Sequence, residues 1–573
     1  MPTKTIRVET VAQAYLELLR ERGIELFLGN AGTDFASLVD AFAKFAAEGK
    51  PTPRPLVVPH EYVAVSMAHG YYAITGRPQV VMVHVTVGTA NAVGALINAA
   101  RTETPVIFTA GRTPITEEGL PGARDTYIHW AQEAFDQGGL VREYVKWDYE
   151  LRQATQLESV VDRALELSMA EPRGPVYLML PREVLAQPLA EITISAPARR
   201  QVESRRFPDP ARIAEAADIL ATARAPVVVT AAAGRAPAAV RALVDLAEAG
   251  GIGVVEAVPR YANFPADHDC HLGYGTPADA HPALADADAI LVVDCDVPWF
   301  PSRGKPRDEA KVIHLAVDPF FSRYPMRSFP CDVPIAAEPT VALLTLADAV
   351  RARVGSDEVA ARRERLAAAH RQSRAAWAAG AEAERGRQPI GFQWASRCVG
   401  ALLAPDTIVV NEYTLDIRHA PPPAPGSYLS SPSAGGLGWG LGTALGAKLA
   451  APDKTVIAVL GDGAYVFGAP TASHQVARMH GLPILVVIFN DEAWDAVKRA
   501  TLRVHPTGWA ATTQNFPLSS LAPSPRYEEL VRAFDGHGER VEDPAALPGA
   551  LARALQVVRR ERRQALVNVI CRR

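Results

Sequence analysis

Short apolar, β-branched runs alternate with alanine-rich helical stretches along the whole chain, and that alternation leaves few ways to fold. Strands that are apolar on both faces must be covered on both faces. Parallel strands also need a long crossover, usually a helix, between each pair. The expectation is therefore α/β, with three doubly wound parallel-sheet domains. A length of 573 residues agrees with about three domains of ordinary size.

The pattern divides the chain into 1–190, 205–350 and 388–573. In the first region strands are expected at 25–29, 55–58, 79–85, 105–110 and 174–181, and helices at 11–20 and 61–72. Residues 188–210 are rich in charge and proline and read as a linker. The second region offers strands at 226–231, 252–257, 289–294 and 311–317. Residues 356–387 are charged and alanine-rich without a strand signal, which predicts a helical connection. The third region offers strands at 407–411, 455–460, 484–490 and 565–570.

Composition removes several function classes. The chain holds 59 basic and 63 acidic residues, a net charge of −4, so there is no basic field to attract nucleic acid. Its five cysteines are scattered and form no CxxC pair, which argues against a disulfide framework or a zinc site and for a reducing compartment. The start, MPTKTIRVET, lacks the apolar core of a signal peptide. No run reaches the roughly 18–20 apolar residues that cross a bilayer. A cytoplasmic protein without a membrane partner is expected.

The strongest chemical signal is VIAVLGDGAYVFG at 456–468, a buried strand running into Gly461-Asp462-Gly463. A helical stretch at 471–480 and a break at Gly481-Leu482-Pro483 follow. A second buried strand, ILVVIF, then ends at Asn490-Asp491, 28 residues after Asp462. Ligands of open parallel sheets bind beyond the carboxyl ends of the strands. Asp462 with Asn490 or Asp491 supplies the oxygen ligands that a hard cation such as Mg2+ requires, and such an ion commonly keeps substrate phosphates as well. The glycines permit close approach of a phosphate to backbone, and the following helix N-terminus favours an anion.

This segment resembles the diphosphate-anchoring motif of thiamine-diphosphate enzymes, GDG followed by roughly 25–30 residues and an Asn pair. Upstream, Ser433-Ala434-Gly435-Gly436-Leu437-Gly438 is similar to the same family's preceding loop, in which the position of Leu437 carries the apolar wedge beneath the cofactor. The resemblance implies the three domains in the pyruvate-decarboxylase-like arrangement, and thiamine diphosphate with Mg2+ as cofactors. Counting from Pro483 places the family's second Asn on Asp491. The implied metal ligands are Asp462, Asp491 and the backbone carbonyl of Ala493, with Asn490 as the alternative. The implied cofactor contacts are Thr33, Glu61, Thr414, Leu437, Gly463, Ala464 and Asp491.

Val57-Val58-Pro59-His60-Glu61 leaves a strand and opens a helix. An acidic residue in a first helical turn complements the helix dipole without any further role. The family, however, places there the carboxylate that hydrogen-bonds the aminopyrimidine ring and promotes loss of the thiazolium C2 proton, and a buried carboxyl group suits proton sharing. The resemblance assigns this to Glu61. His84 ends another strand, and the stretch from His84 through GTANAVGALINA to TPVIFTAG is similar to benzoylformate decarboxylases, as are Gly29–Thr33 and VKWDYEL at 145–151. In those enzymes the histidine matching His84 shuttles protons, work that suits a group titrating near neutrality. A second active-site histidine expected at 297–304 is replaced by VPWFPSRG. Acetolactate synthases share the layout, but Val87-Gly88-Thr89 replaces their Gly-Pro-Gly loop. No Gly-rich dinucleotide fingerprint occurs in the central region, so FAD is not expected.

Glu492 follows Asp491 and is expected to face the substrate without a charge partner, with Lys498, Arg499 and Arg503 further on. Two reactions follow from the resemblance. The first is cleavage or ligation of a carbon–carbon bond on a 2-oxo acid. The alternative is a lyase acting on a 2-hydroxyacyl-coenzyme A, with Glu492 as base and the three cations meeting the carrier's phosphates. A catalytically dead subunit would not need Glu61, His84 and Asp462 together. A nicotinamide oxidoreductase would need a GxGxxG that is missing. The resemblance also implies a homo-oligomer, a dimer or a tetrameric dimer of dimers, with active sites shared between subunits.

Overall fold

The computed structural model describes residues 3–196, 205–276 and 281–572. Three parallel sheets carry the fold. In the first, strands Arg54–Val57, Leu26–Gly29, Val80–Val83, Ile107–Arg112, Val176–Pro181 and Asp148–Glu150 lie side by side in that order. In the second the order is His271–Gly275, Gly253–Ala257, Pro226–Thr230, Ala289–Val293, Lys311–Ala316 and Val333–Ala336. The third runs Ile390–Gly391, Ala565–Arg572, Leu485–Asn490, Thr455–Gly461, Thr407–Glu412 and Tyr428–Ser430, and His537–Val541 also pairs with Ala565–Arg572. The central strands, such as Val80–Val83 and Pro226–Thr230, are wholly buried, because helices cover both faces.

The expected strand cores are present, and the differences concentrate at sheet edges. Asp148–Glu150, Val333–Ala336, Tyr428–Ser430 and Ile390–Gly391 are only two to four residues long, too short for the apolar run that marks a central strand. The run at 79–85 ends early: the strand stops at Val83, His84 caps the next helix, and Val85 turns with φ 31°. Part of the expected linker is structured, since Glu191–Ser195 pairs antiparallel with Thr3–Arg7. Its residues 197–204 lie outside the described residues. Helix Ser356–Ala383 occupies the expected helical connection.

Helices Glu61–Thr75 and Trp439–Ala450 join the first and third sheets into one core. The crossing is close: a Cβ on Gly446 would stand 2.0 Å from the carbonyl oxygen of Met67, so no larger residue fits. Buried Trp439 donates its indole N–H to His69 at 3.2 Å across this contact.

Candidate active site

Adjacent strand ends build the first half of the site. Gly29 is paired with Val57 on one side and Met82 on the other, so the residues just beyond these three strands emerge together. They are the loop 30–34, Glu61 at the start of its helix, and His84. Glu61 is 9% exposed. Its two oxygens accept from neutral amides, Oε1 from Asn30 at 2.8 Å and Oε2 from Asn91. Asn30 and Asn91 stand inside the two motifs that carry the resemblance to benzoylformate decarboxylases.

His84 sits in a hydrogen-bonded chain whose directions are fixed by its ends. The Arg124 guanidinium can only donate, and its Nη2 donates to Gln132 Oε1 at 3.2 Å. Gln132 therefore turns its amide nitrogen to His84 Nε2 at 3.0 Å. Nε2 accepts, the proton rests on Nδ1, and Nδ1 donates to Asp34 Oδ1 at 2.5 Å. Asp34 is 2% exposed, and its other oxygen accepts from the Val85 N–H. The packing leaves Gly32 no alternative, because a Cβ there would lie 2.1 Å from His84 Nδ1. Thr33 accepts from Arg124 Nη1 at 2.5 Å. Sequence reading missed Asp34, Arg124 and Gln132. Asp34 was within reach, two residues after the glycine of the first loop. Arg124 and Gln132 come from a long connection with no strand or helix pattern.

The third sheet builds the second half in the same way. Strand Thr455–Gly461 lies between Thr407–Glu412 and Leu485–Asn490, so Thr414, Asp462 and Asp491 emerge on neighbouring strand ends. Asp462 is 2% exposed, and its carboxyl is pushed up to about 7, first by burial and then by the charge of Asp491. Its Oδ2 is buried without a hydrogen-bond partner, and so is Thr414 Oγ1. A buried oxygen without a partner is costly. Two of them beside a pair of repelling carboxylates fit a bound cation and the phosphate it would carry. Among the described residues no three His, Cys, Asp or Glu side chains gather as a ligand set, so further ligands must be backbone carbonyls or phosphate oxygens.

The amide of Asn490 is committed elsewhere. Its nitrogen donates to Ser524 Oγ and Asn568 Oδ1, both at 3.1 Å, and its oxygen accepts from the Glu492 N–H. Ala493 bridges to Ser520, and the Trp494 ring lies on Gly463. Glu492 is tied to a serine from further along the chain. Its backbone is left-handed, φ 54°, and its Oε1 accepts from both the N–H (3.0 Å) and the hydroxyl (2.9 Å) of Ser524. These donors hold its carboxyl below the ordinary carboxylate range. Arg499 pairs instead with Asp495 at 2.8 Å, and Lys498 lies 5.1 Å above the Phe516 ring.

The loop carrying Leu437 is pinned from both halves of the chain. Gly436 O accepts from Tyr62 (3.0 Å) and Asn98 (2.9 Å). Buried Glu412 accepts from the N–H groups of Gly438 and Gly440, each at 2.7 Å. Burial pushes the Glu412 carboxyl up to about 7. Tyr62 follows Glu61 directly, so this loop is where the two halves meet. Among the described residues no hydrogen bond joins Glu61 or His84 to Asp462.

Three domain families match along the chain. Residues 9–140 match the thiamine pyrophosphate enzyme N-terminal TPP binding domain, 213–346 the central domain, and 413–569 the C-terminal TPP binding domain. Benzoylformate decarboxylase of Pseudomonas aeruginosa is 29% identical over 513 residues, covering 86% of this chain and 88% of that protein. The large subunit of acetolactate synthase isozyme 3 of Escherichia coli is 24% identical, covering 96% and 93%. The solved structure of a Rhodococcus jostii RHA1 thiamine diphosphate-dependent 4-hydroxybenzoylformate decarboxylase superposes with a TM-score of 0.77 at 24% identity, covering 98% and 99%, which establishes the shared fold. The two outer families bind thiamine diphosphate, with Mg2+ as the usual partner ion. The three matches together span well over half of the chain and the relatives align along most of it, and the chain thereby belongs to the thiamine-diphosphate-dependent enzymes of the decarboxylase and acetolactate synthase type.

Proposed function

We propose that this enzyme cleaves or forms a carbon–carbon bond beside the carbonyl of a 2-oxo acid. The observation that carries the reading is the placement of the Asp34–His84 pair and Glu61 on adjacent strand ends. Asp462, Asp491 and the carbonyl of Ala493 would hold Mg2+. Asp491 is preferred to Asn490 because the Asn490 amide is already bonded at both ends. Thr414, Gly463 and Ala464 would meet the diphosphate, and Leu437 would support the cofactor from below. When bound, thiamine diphosphate supplies a nucleophilic thiazolium carbon and an acceptor for the electrons of the broken bond. Glu61 would hold a proton against the aminopyrimidine once released from its amide partners Asn30 and Asn91. His84 Nε2, once Gln132 yields its place on that nitrogen, would accept or return the substrate's proton, while Asp34 holds the ring with its proton on Nδ1 and stabilises the imidazolium.

The 2-hydroxyacyl-coenzyme A reading drew its support from Glu492 as a general base. A carboxylate that already accepts two hydrogen bonds from Ser524, and whose pKa is lowered, is a weak base. That favours the 2-oxo acid. The domains are read as 1–190, 205–350 and 388–573, and the working form as a cytoplasmic homo-oligomer, a dimer or a dimer of dimers. A screen of the cofactor-loaded protein against 2-oxo acids and 2-hydroxyacyl thioesters tests the reading. Turnover of a 2-oxo acid is expected, and turnover of thioesters alone would replace it with the lyase.

A further inference from the structure

Arg124 is a cation held beside the site with no anion of its own. The connection that carries it is fixed: Glu183 Oε1 accepts from both the N–H and the hydroxyl of Thr116, each at 2.9 Å, and the Arg124 N–H donates to Thr116 O at 3.3 Å. The side chain donates only to neutral groups, Thr33 Oγ1 and Gln132 Oε1. Its Nε is buried and has no partner. Among the described residues no ion pair includes Arg124. The acid that acts on it, Asp34, is committed to His84 and the Val85 N–H. Arg182 adds a second positive charge in the neighbourhood. A partly exposed guanidinium with donors left over after Thr33 and Gln132, one glutamine away from His84, suits a planar anion taken through its fork.

Which anion follows from the reaction proposed above, on which this inference rests. In a decarboxylation the leaving carboxylate loses its charge as it becomes carbon dioxide. A cation bound to it would stabilise the ground state more than the transition state and would slow the step. An anionic group that survives into the product keeps its charge throughout, and a cation on that group costs nothing at the transition state. We infer that Arg124 is a specificity-determining residue that binds an acidic group of the substrate retained in the product. Two sources share this chemistry: a distal acid group on the 2-oxo acid itself, or the carboxylate of a second 2-oxo acid acting as acceptor.

The test uses the full-length, cofactor-loaded protein, its R124Q and R124K variants, and matched substrate pairs. One pair is a five-carbon 2-oxo acid with either a terminal carboxylate or a terminal methyl. The other is a 2-oxo acid or the corresponding aldehyde as acceptor. In R124Q any loss passed through Gln132 to His84 falls on both partners alike, and the kcat/KM for the partner with the retained anion should fall roughly 10²-fold further than that for its match, the worth of a charge-assisted hydrogen bond. R124K, which keeps the charge and loses the fork, should fall between. A loss on the first pair alone assigns the distal acid, and a loss on the second alone assigns the acceptor. Equal losses on charged and uncharged partners would overturn the inference and leave Arg124 as a positioning residue for Gln132 and His84. Calorimetric titration with glutarate and pentanoate gives a readout independent of turnover. Glutarate binding weakened in R124Q more than pentanoate binding supports the inference, and unchanged glutarate binding overturns it. If the wild type turns over no 2-oxo acid, the proposed function fails while this titration still decides the role of Arg124.

Discussion

Glu61 has room to work because its partners are replaceable. Both its oxygens accept from asparagine amides, which an arriving ring nitrogen can displace without breaking an ion pair. Glu61→Gln keeps the shape and loses the ionisable proton. Cofactor binding should survive, while exchange of the cofactor's C2 proton, followed by NMR in deuterated buffer, should slow by orders of magnitude; normal exchange would leave Glu61 as a helix-start carboxylate only. The His84 chain makes a separate prediction. Asp34→Asn removes the charge that supports an imidazolium and keeps the volume. It should lower kcat by roughly 10²–10⁴-fold, as His84→Ala should, because both remove the same proton transfer. C2 exchange should stay near normal in each. An unchanged kcat in His84→Ala would return the residue to packing. Glu492 was legible in sequence as a charged residue beside the metal motif. Its role was not, because Ser524 arrives from 32 residues further along the chain.

At the scale of elements, one buried glutamate ties a strand end to a helix start. Glu412 ends strand Thr407–Glu412 and accepts from the first amides of helix Trp439–Ala450. The same helix packs on Glu61–Thr75, so Glu412 steadies the Leu437 loop and the contact between the two halves. Its pKa rises from an ordinary 4.5 to about 7 through burial. The folded state thus holds this proton more tightly than the unfolded chain. The stability this contributes is whole below about pH 4.5 and is lost as pH rises through about 7. The loss is on the order of 3 kcal/mol, from 1.36 kcal/mol per pKa unit. Glu412→Gln removes the titration and leaves one amide N–H facing a donor, at about 1–3 kcal/mol. Denaturant melts from pH 5 to 8 should therefore show a steeper decline in wild type than in the variant, and parallel curves would contradict the assignment.

For the whole molecule, exposed apolar residues lie next to both halves of the site. Val57 and Val87 are 56% and 57% exposed beside Glu61 and His84, and Phe467, at the end of the Asp462 helix, is 56% exposed. These side chains are where a second chain would sit if the sites are shared between subunits. A dimer that completes each site from two chains would cover them. Mixing two inactive variants, Glu61→Gln and Asp462→Asn, tests this directly. If Glu61 of one chain serves Asp462 of another, random pairing in a twofold dimer restores about one quarter of the sites. If both residues serve one site within one chain, the mixture stays inactive. Sedimentation of the same samples reports the oligomer.

Local chemistry determined the central strands and the motifs at their ends, since buried parallel strands announce themselves by continuous apolar runs and Gly461-Asp462-Gly463 follows one of them. The chain could therefore be read as α/β, with Asp462 and either Asn490 or Asp491 at strand ends, before any geometry was known, while Glu61, His84 and the choice of Asp491 came from the resemblance to thiamine-diphosphate enzymes. The edge strands escaped because a strand paired on one side needs no such run. Tertiary structure alone decided which residues answer one another. Asp34 beside His84, Arg124 through Gln132, Ser524 on Glu492 and Glu412 on the Leu437 loop are separated by 26 to 91 positions in sequence or reach their partner through another side chain. Hydrogen bonds at such distances leave no periodic trace. They depend on strand order, which places the ends of nonadjacent segments side by side, and strand order is set by how the sheets bury their faces rather than by any one segment.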